Sequence, residues 1–402
     1  MPKNVLNYKV MSKPLTIVMI GQKGLPARSG GIERHVSSVA TGLVSRGYRV
    51  VVYGRRWYVG NGVAPQGVEQ RFSSGIRTKH LDAITHSFTA LWDARHVKPD
   101  VVHLQGSSVA LLAPIARLFH PKAKLVVTFH CIDAGHAKWN WLAKKILRAG
   151  EWISCRVPDK TIVVSQTLLR DCLKRFSTQT VYISHPFDVE KNQVPTEPLA
   201  AFGLTKDQYL ISAGRLVPNK HIHLLIQAYA KVREARPDLF AHIPLVIVGG
   251  GVWTDSYVSW LSQLAASVPG VQLLGERCGI ELAALQAHAM AHVFPTLTEG
   301  LSFAMLEAGA FARPAVATAL PQNEEALGKS VIKVRVNDVA DLARGLIELA
   351  SLTPEERQRM GEETRAHVER AFHPVDRIDD LDRFYRELCG RSLELVTPAL
   401  SA

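Results

Sequence analysis

A chain of 402 residues is too long for one ordinary core and points to two domains. With 47% hydrophobic and 21% charged residues it reads as a folded globular protein. No apolar run is long enough to span a bilayer, and MPKNVLNYKVMSKP lacks the apolar region of a signal peptide, so a cytoplasmic protein is expected. The five cysteines (Cys131, Cys155, Cys172, Cys278, Cys389) are scattered without a C-x-x-C pair and read as reduced core residues. Charge is divided unevenly. Residues 1–195 hold 28 Lys+Arg against 11 Asp+Glu, a net +17, while residues 196–402 hold 20 against 25, a net −5. The first half is thus suited to something anionic: a membrane, a phosphorylated substrate or nucleic acid. The competing reading is a basic domain that is merely soluble.

Residues 1–13 read as a loose tail. LTIVMI (15–20) is a buried-strand run, followed by GQKGLPARSGGIERHV and a helix over about 32–45 that Gly47 ends. Strand, glycine-rich turn and helix bring backbone N–H groups close to a phosphate. The loop is not G-x-G-x-x-G, and the next strand, YRVVVYGRR, ends on Arg55 and Arg56 without an acidic residue, so no dinucleotide fingerprint is present. VEQRF, DVVHLQG, KLVVTFH, TIVVSQT and TVYIS then alternate with helical stretches near 78–97, 107–119, 138–156 and 166–176. That alternation predicts a parallel sheet covered by helices. His130 closes KLVVTFH at the carboxyl edge, where such sheets bind ligands, although a structural histidine fits there too.

Residues 191–207 read as an interdomain linker after a first domain of 14–190. A second alternating series (QYLISAG, PLVIVGG, VQLLG, HVFPTL, AVATAL, VIKVRV) fills a domain of 208–372, and residues 373–402 form a C-terminal helix expected to return to the first domain. The second domain opens with SAGRLVPNKHIHLL. Gly214 and Arg215 leave its first strand, and Lys220 precedes a helix over about 221–232, so two cations converge on a turn that already favours anions. FPTLTEGLSFAMLEAGA (294–310) places Glu299 in a strand-to-helix turn and Glu307 on the helix. Eight helical steps would separate the two carboxylates by about 12 Å, which suits an elongated ligand held at two points and not an acid/base pair on one atom. A surface Glu plus an ion-paired helix Glu is the alternative. Asp380-Leu381-Asp382, the one Asp-x-Asp, lies in a charged helix and reads as a solvated face.

The succession of glycine-rich turn, strand-end His130, Gly214-Arg215…Lys220 and Glu299-Gly300…Glu307 resembles the retaining family 4 glycosyltransferases over residues 15–390 or so. The pieces that carry the resemblance are GRLVPNK and FPTLTEGLSFAMLEAGAFARPAVAT, and the N-terminal loop is similar to that of members building bacterial capsule and exopolysaccharide, some called rhamnosyltransferases. The resemblance implies a GT-B fold: α/β, two Rossmann-like parallel-sheet domains facing across a cleft. It implies that Arg215 and Lys220 bind the donor diphosphate and that Glu299 hydrogen-bonds sugar hydroxyls. The backbone of Gly300, Leu301, Ser302 and Phe303 would cradle sugar and phosphate, and Glu307 would hold the ribose. Gly30 and Gly31 would let the first domain close over the phosphates, Gly214 would lie at the donor, and His130 would sit beside the anomeric carbon. Asp133 falls in TFHCIDAGHAKW, where Cys131 and Ala134 replace a glycine and a tryptophan of relatives. SHPFD (184–188) stands where PNGVD is common, and His221 where a glycine often follows the lysine.

With no first-domain carboxylate standing out as a nucleophile, front-face substitution with retention is expected, and no metal or other cofactor, because two cations and helix N-termini can stabilise the leaving diphosphate. The expected partners are a nucleotide-sugar donor, a lipid-linked or oligosaccharide acceptor and an anionic membrane surface on the inner face of the plasma membrane. For that surface, AKWNWLAKKILRAGEW sets Lys138, Trp141, Lys145, Arg148 and Trp152 along one helical stripe, with core packing of Trp139, Trp141 and Trp152 as the alternative. A GT-B nucleotide-sugar epimerase or phosphorylase is the nearest rival. A basic nucleic-acid-binding protein is another, but the sequence lacks a helix-turn-helix, zinc or aromatic RNA-binding signature.

Overall fold

The computed structural model describes residues 14–28, 30–78, 81–132, 141–189 and 194–391. Two parallel sheets account for all the strands among the described residues. The first holds β1 (Thr16–Ile20), β2 (Arg49–Gly54), β3 (Glu69–Phe72), β4 (Val101–Gln105), β5 (Lys124–Phe129), β6 (Lys160–Val163) and β7 (Val181–Tyr182), in the order β3-β2-β1-β4-β5-β6-β7. The second holds β8 (Leu210–Ala213), β9 (Leu245–Val248), β10 (Val271–Gly275), β11 (Ala291–Phe294), β12 (Ala315–Thr318) and β13 (Ile332–Val334), in the order β10-β9-β8-β11-β12-β13. The apolar runs form strands because helices cover both faces: every residue of β1, β4, β9, β11 and β12 is buried. Each order reverses beside the sheet's first strand, at β1/β4 and at β8/β11, and crevices of such sheets open at those reversals.

The helix Gly31–Ser45 covers one face of the first sheet together with the C-terminal helix Pro374–Leu388, whose Ile378, Leu381 and Tyr385 join Ile17, Val36 and Val50 in one buried cluster. Tyr385 is fully buried, its hydroxyl 2.7 Å from His103 Nδ1 on β4. The last described helix therefore packs on the first sheet. Another cluster crosses between the sheets, joining Phe129, Val163 and Leu168 to Phe294, Leu301, Met305 and Leu306.

Several local expectations are corrected. The stretch over 107–119 is two short helices, Ser107–Ala110 and Ala113–Phe119, and the linker contains a 3-10 helix, Glu197–Phe202. The helix after Glu299 begins only at Phe303, so the separation of Glu299 and Glu307 does not follow from eight helical steps. Of the cysteines only Cys155 and Cys172 are buried, their sulfurs 3.7 Å apart, and Cys278 is exposed. Asp380-Leu381-Asp382 is not simply a solvated face. Leu381 is core, and the Asp382 carboxylate accepts from the Tyr48 hydroxyl at 2.6 Å and from Arg386 Nε at 2.8 Å. Those partners orient Asp382 as a brace for the C-terminal helix.

Candidate active site

The reversal point of the second sheet carries most of the chemistry. Gly214 and Arg215 follow β8, and a 3-10 turn, Pro218–Lys220, leads into the helix Ile222–Ala235. Beyond β11 the loop folds back on that turn: Leu297 N–H and the Thr296 hydroxyl both donate to the Asn219 carbonyl, at 2.8 and 3.2 Å. These ties bring Gly214, Arg215, Lys220, Thr296 and Glu299 around one small crevice. Lys220 and Glu299 form an ion pair, and Glu299 Oε1 also accepts from the Thr296 hydroxyl at 3.2 Å. Arg215 is exposed at the crevice wall. Close packing explains Gly249 beside it, since a Cβ there would overlap the Gly214 carbonyl. His221, where relatives often have glycine, adopts φ +52°, the left-handed region that glycine enters without cost.

The helix Phe303–Ala310 opens beside this crevice with no side-chain cap at Ser302, the kind of helix start that favours an anion. Glu307, on the same helix, accepts from Gln286 Nε2 at 3.2 Å and pairs with Arg34 of the first-lobe helix. Contact between lobes continues along the turn. A Cβ on Gly300 would overlap the carbonyl oxygen of His130, and one on Gly31 would lie 3.2 Å from the Phe303 ring. The glycine-rich loop and strand-end His130 thus meet the Glu299 turn directly. Gly30 has φ +100°, and a Cβ there would overlap the Glu33 carboxylate, which accepts from Lys23 N–H at 3.0 Å and so organises the loop. Asp133 lies outside the described residues, as do Lys138 and Trp139.

His130 does not stand alone. Its Nε2 is 2.9 Å from Gln105 Oε1, and its ring centroid is 5.0 Å from that of His35 and 5.9 Å from that of His185. His185 Nδ1 is 2.9 Å from His35 Nδ1, and its ring stacks on Phe303 at 4.5 Å. Burial drives all three histidines toward the neutral form: His35 falls to about 4, and His130 and His185 lie well below the usual imidazole range, lowered further by their histidine neighbours. His130 is therefore an uncharged hydrogen-bonding group at neutral pH, and the site's positive charge lies with Arg215, Lys220 and Arg34.

The structure gathers Gly214, Arg215, Lys220 and Glu299 around one crevice and sets Gly300 against His130 and Gly31 against Phe303, and four residues that the sequence did not single out hold this arrangement. Arg34 and Gln286 contact Glu307, Gln105 contacts His130 and His185 contacts Phe303. Two carried a usable signal: Gln105 ends a strand at the same carboxyl edge as His130, and Arg34 sits in the first turn of the helix after the glycine loop.

The helix Trp141–Arg156 buries Leu147, Gly150, Glu151, Ser154 and Cys155, and turns Trp141, Leu142, Ile146 and Trp152 to solvent. Trp141 is 69% exposed and Trp152 52%, so neither packs in the core. Lys145 lies over the Trp141 ring at 5.0 Å.

Two family models match the chain in tandem: Glycosyltransferase Family 4 over residues 29–191 and Glycosyl transferases group 1 over residues 207–351. The chain is 33% identical over 208 residues to a D-inositol 3-phosphate glycosyltransferase of Stackebrandtia nassauensis, a match covering 49% of this chain and 46% of that one. It therefore spans less than half the length of that relative. It is 27% identical to a GDP-mannose-dependent alpha-(1-6)-phosphatidylinositol monomannoside mannosyltransferase of Mycolicibacterium smegmatis, covering 73% of this chain and 78% of the relative. Among solved structures, Anabaena HepE in complex with UDP-glucose superposes with a TM-score of 0.74 at 17% identity, covering 93% of this chain and all of the other, a likeness of fold.

Proposed function

From a chain that belongs to the family 4 and group 1 glycosyltransferases, built on the GT-B plan of two facing parallel sheets, we propose a retaining transferase that moves a sugar from a nucleotide-diphosphate sugar to a lipid-linked glycan acceptor in bacterial surface glycan synthesis. The observation that carries this reading is the crevice at β8/β11, where Arg215, Lys220 and Glu299 converge opposite His130. Arg215 and Lys220 neutralise the departing diphosphate together with the uncapped N-terminus of Phe303–Ala310, and the backbone of Gly300–Phe303 holds its oxygens. Glu299 fixes sugar hydroxyls, and Glu307 takes the ribose hydroxyls after exchanging its partner Arg34.

Retention follows from front-face departure. The bond from the anomeric carbon to the diphosphate oxygen breaks, the acceptor oxygen bonds to the same face, and its proton passes to the departing diphosphate. His130, neutral and close to the Glu299 turn, orients the sugar without carrying charge. Fixed cations and helix dipoles supply the electrostatic stabilisation, so the reaction runs without a metal. The relative named as a phosphatidylinositol monomannoside mannosyltransferase supports an acceptor with a lipid anchor. The exposed Trp141, Leu142, Ile146 and Trp152, with Lys144, Lys145 and Arg148 on the same helix, support docking on an anionic leaflet from the cytoplasmic side.

The test is release of nucleoside diphosphate from UDP-glucose and GDP-mannose with and without membrane glycolipid extract, with the product anomer assigned by NMR. Acceptor-dependent release with retained configuration is expected, and Lys220→Ala lowers kcat/KM by about 100- to 1000-fold, the usual loss for one such donor. Acceptor-independent isomerisation of the donor would instead identify an epimerase.

A further inference from the structure

One buried polar atom at the edge of the first sheet has no partner. Gln105 ends β4 beside the β1/β4 reversal and is 2% exposed. Its Oε1 takes a hydrogen bond from His130 Nε2 at 2.9 Å. A carboxamide oxygen can only accept, so Nε2 carries the ring proton and the neutral ring keeps a lone pair on Nδ1. The other end of the carboxamide, Nε2 of Gln105, is buried and makes no hydrogen bond. A buried donor left unpaired in this way costs about 1–3 kcal/mol.

The backbone leaves Gln105 little freedom to relieve it. Gln105 pairs with Thr128 of β5, and the following Gly106 N–H donates to the Thr128 carbonyl at 2.9 Å. On the other flank Gly21 presses so closely that a Cβ there would lie 2.7 Å from the Gln105 carbonyl oxygen. The main chain is thus clamped on both sides and the side chain is held by His130, so the unpaired amide is kept in place by the fold.

We propose that Gln105 is a sugar-reading residue: it fixes His130 through its oxygen and donates through its free amide to one hydroxyl of the transferred sugar. This rests on the transfer reading above. A hydroxyl suits the position better than a phosphate, because the surrounding ring groups, His130, His35 and His185, are neutral and supply no cation. The anionic part of the donor is served instead by Arg215 and Lys220 in the second lobe.

The experiment crosses donor deletions with side-chain deletions. Wild type, Gln105→Met and Gln105→Glu are assayed with UDP-glucose, GDP-mannose and their singly deoxygenated analogues. Against wild type one analogue loses 10- to 100-fold in kcat/KM. Against Gln105→Met, and against Gln105→Glu, which keeps an acceptor for His130 but loses the amide, that same analogue costs no more than its fully hydroxylated parent. A side chain that only supported the fold would slow every donor alike and leave the penalty intact, which overturns the proposal. The wild-type panel stands even if a variant fails to fold, since a spread below threefold across the analogues rejects the hydroxyl contact. If wild type turns over neither parent sugar, the transfer reading itself fails and this inference with it.

Discussion

Gly300 lies against the His130 carbonyl with no room for a Cβ, so one methyl group is enough to push the Glu299 turn off the first lobe. Gly300→Ala is expected to destabilise the fold by about 1–3 kcal/mol, the usual range for overpacking, and to reduce transfer more than tenfold. Thermal unfolding and kcat/KM measured together check this, and unchanged values in both would remove Gly300 from the lobe contact. At this scale the legible residues were those whose chemistry is local. Arg215, Lys220 and Glu299 stand at turns beside apolar strands, and strand-to-helix turns gather ligand groups. His185, Arg34 and Gln286 were illegible because their roles arise from partners distant in the chain: His185 meets His35 150 positions away, and Arg34 meets Glu307 in the other lobe. His221 was noticed only as a substitution for glycine, and its left-handed backbone supplies the physical reason for that preference.

Elements were easier to read than residues, because buried parallel strands announce themselves as short apolar runs whichever partner they pair with. Their order in the sheet was not legible, since it is fixed by long crossovers, and the helix after Glu299 starts late, at Phe303, where the preceding loop is tied to Asn219 through Thr296 and Leu297. The C-terminal helix shows what such a partner contributes. Tyr385 buries its ring in the first-lobe core and hydrogen-bonds His103, so Tyr385→Ala should cost about 3–5 kcal/mol and Tyr385→Phe about 1–3 kcal/mol, read from urea midpoints. Equal stability of all three chains would show that the helix is not anchored there. The helix Trp141–Arg156 behaves in the opposite way. Replacing Trp141 and Trp152 together by Ala should leave the midpoint within about 0.5 kcal/mol, because both are exposed. The same change should abolish salt-sensitive flotation with phosphatidylglycerol vesicles, and flotation unaltered by it would place membrane contact elsewhere.

Buried histidines of the first lobe tie the stability of the whole molecule to pH. His35 titrates near 4 in the folded chain, against an ordinary value near 6.5, and burial also lowers His103 (to about 3), His130 and His185. Between those limits the unfolded chain binds protons that the folded chain refuses, so stability is full above pH 6.5 and falls as pH drops toward 4. His35→Gln should flatten that fall by up to about 1.4 kcal/mol per pH unit, measured by urea unfolding from pH 7 to pH 4.5. An identical slope in variant and wild type would mean that His35 is not held neutral by burial.

The central claim is that the crevice at β8/β11 holds a nucleotide diphosphate against the opposite lobe. Calorimetric titration of UDP and GDP into wild type and Lys220→Ala tests it most directly. The account predicts that at least one nucleotide binds wild type and that the substitution weakens it tenfold or more. Binding of neither nucleotide, or equal affinity for the two chains, would contradict it.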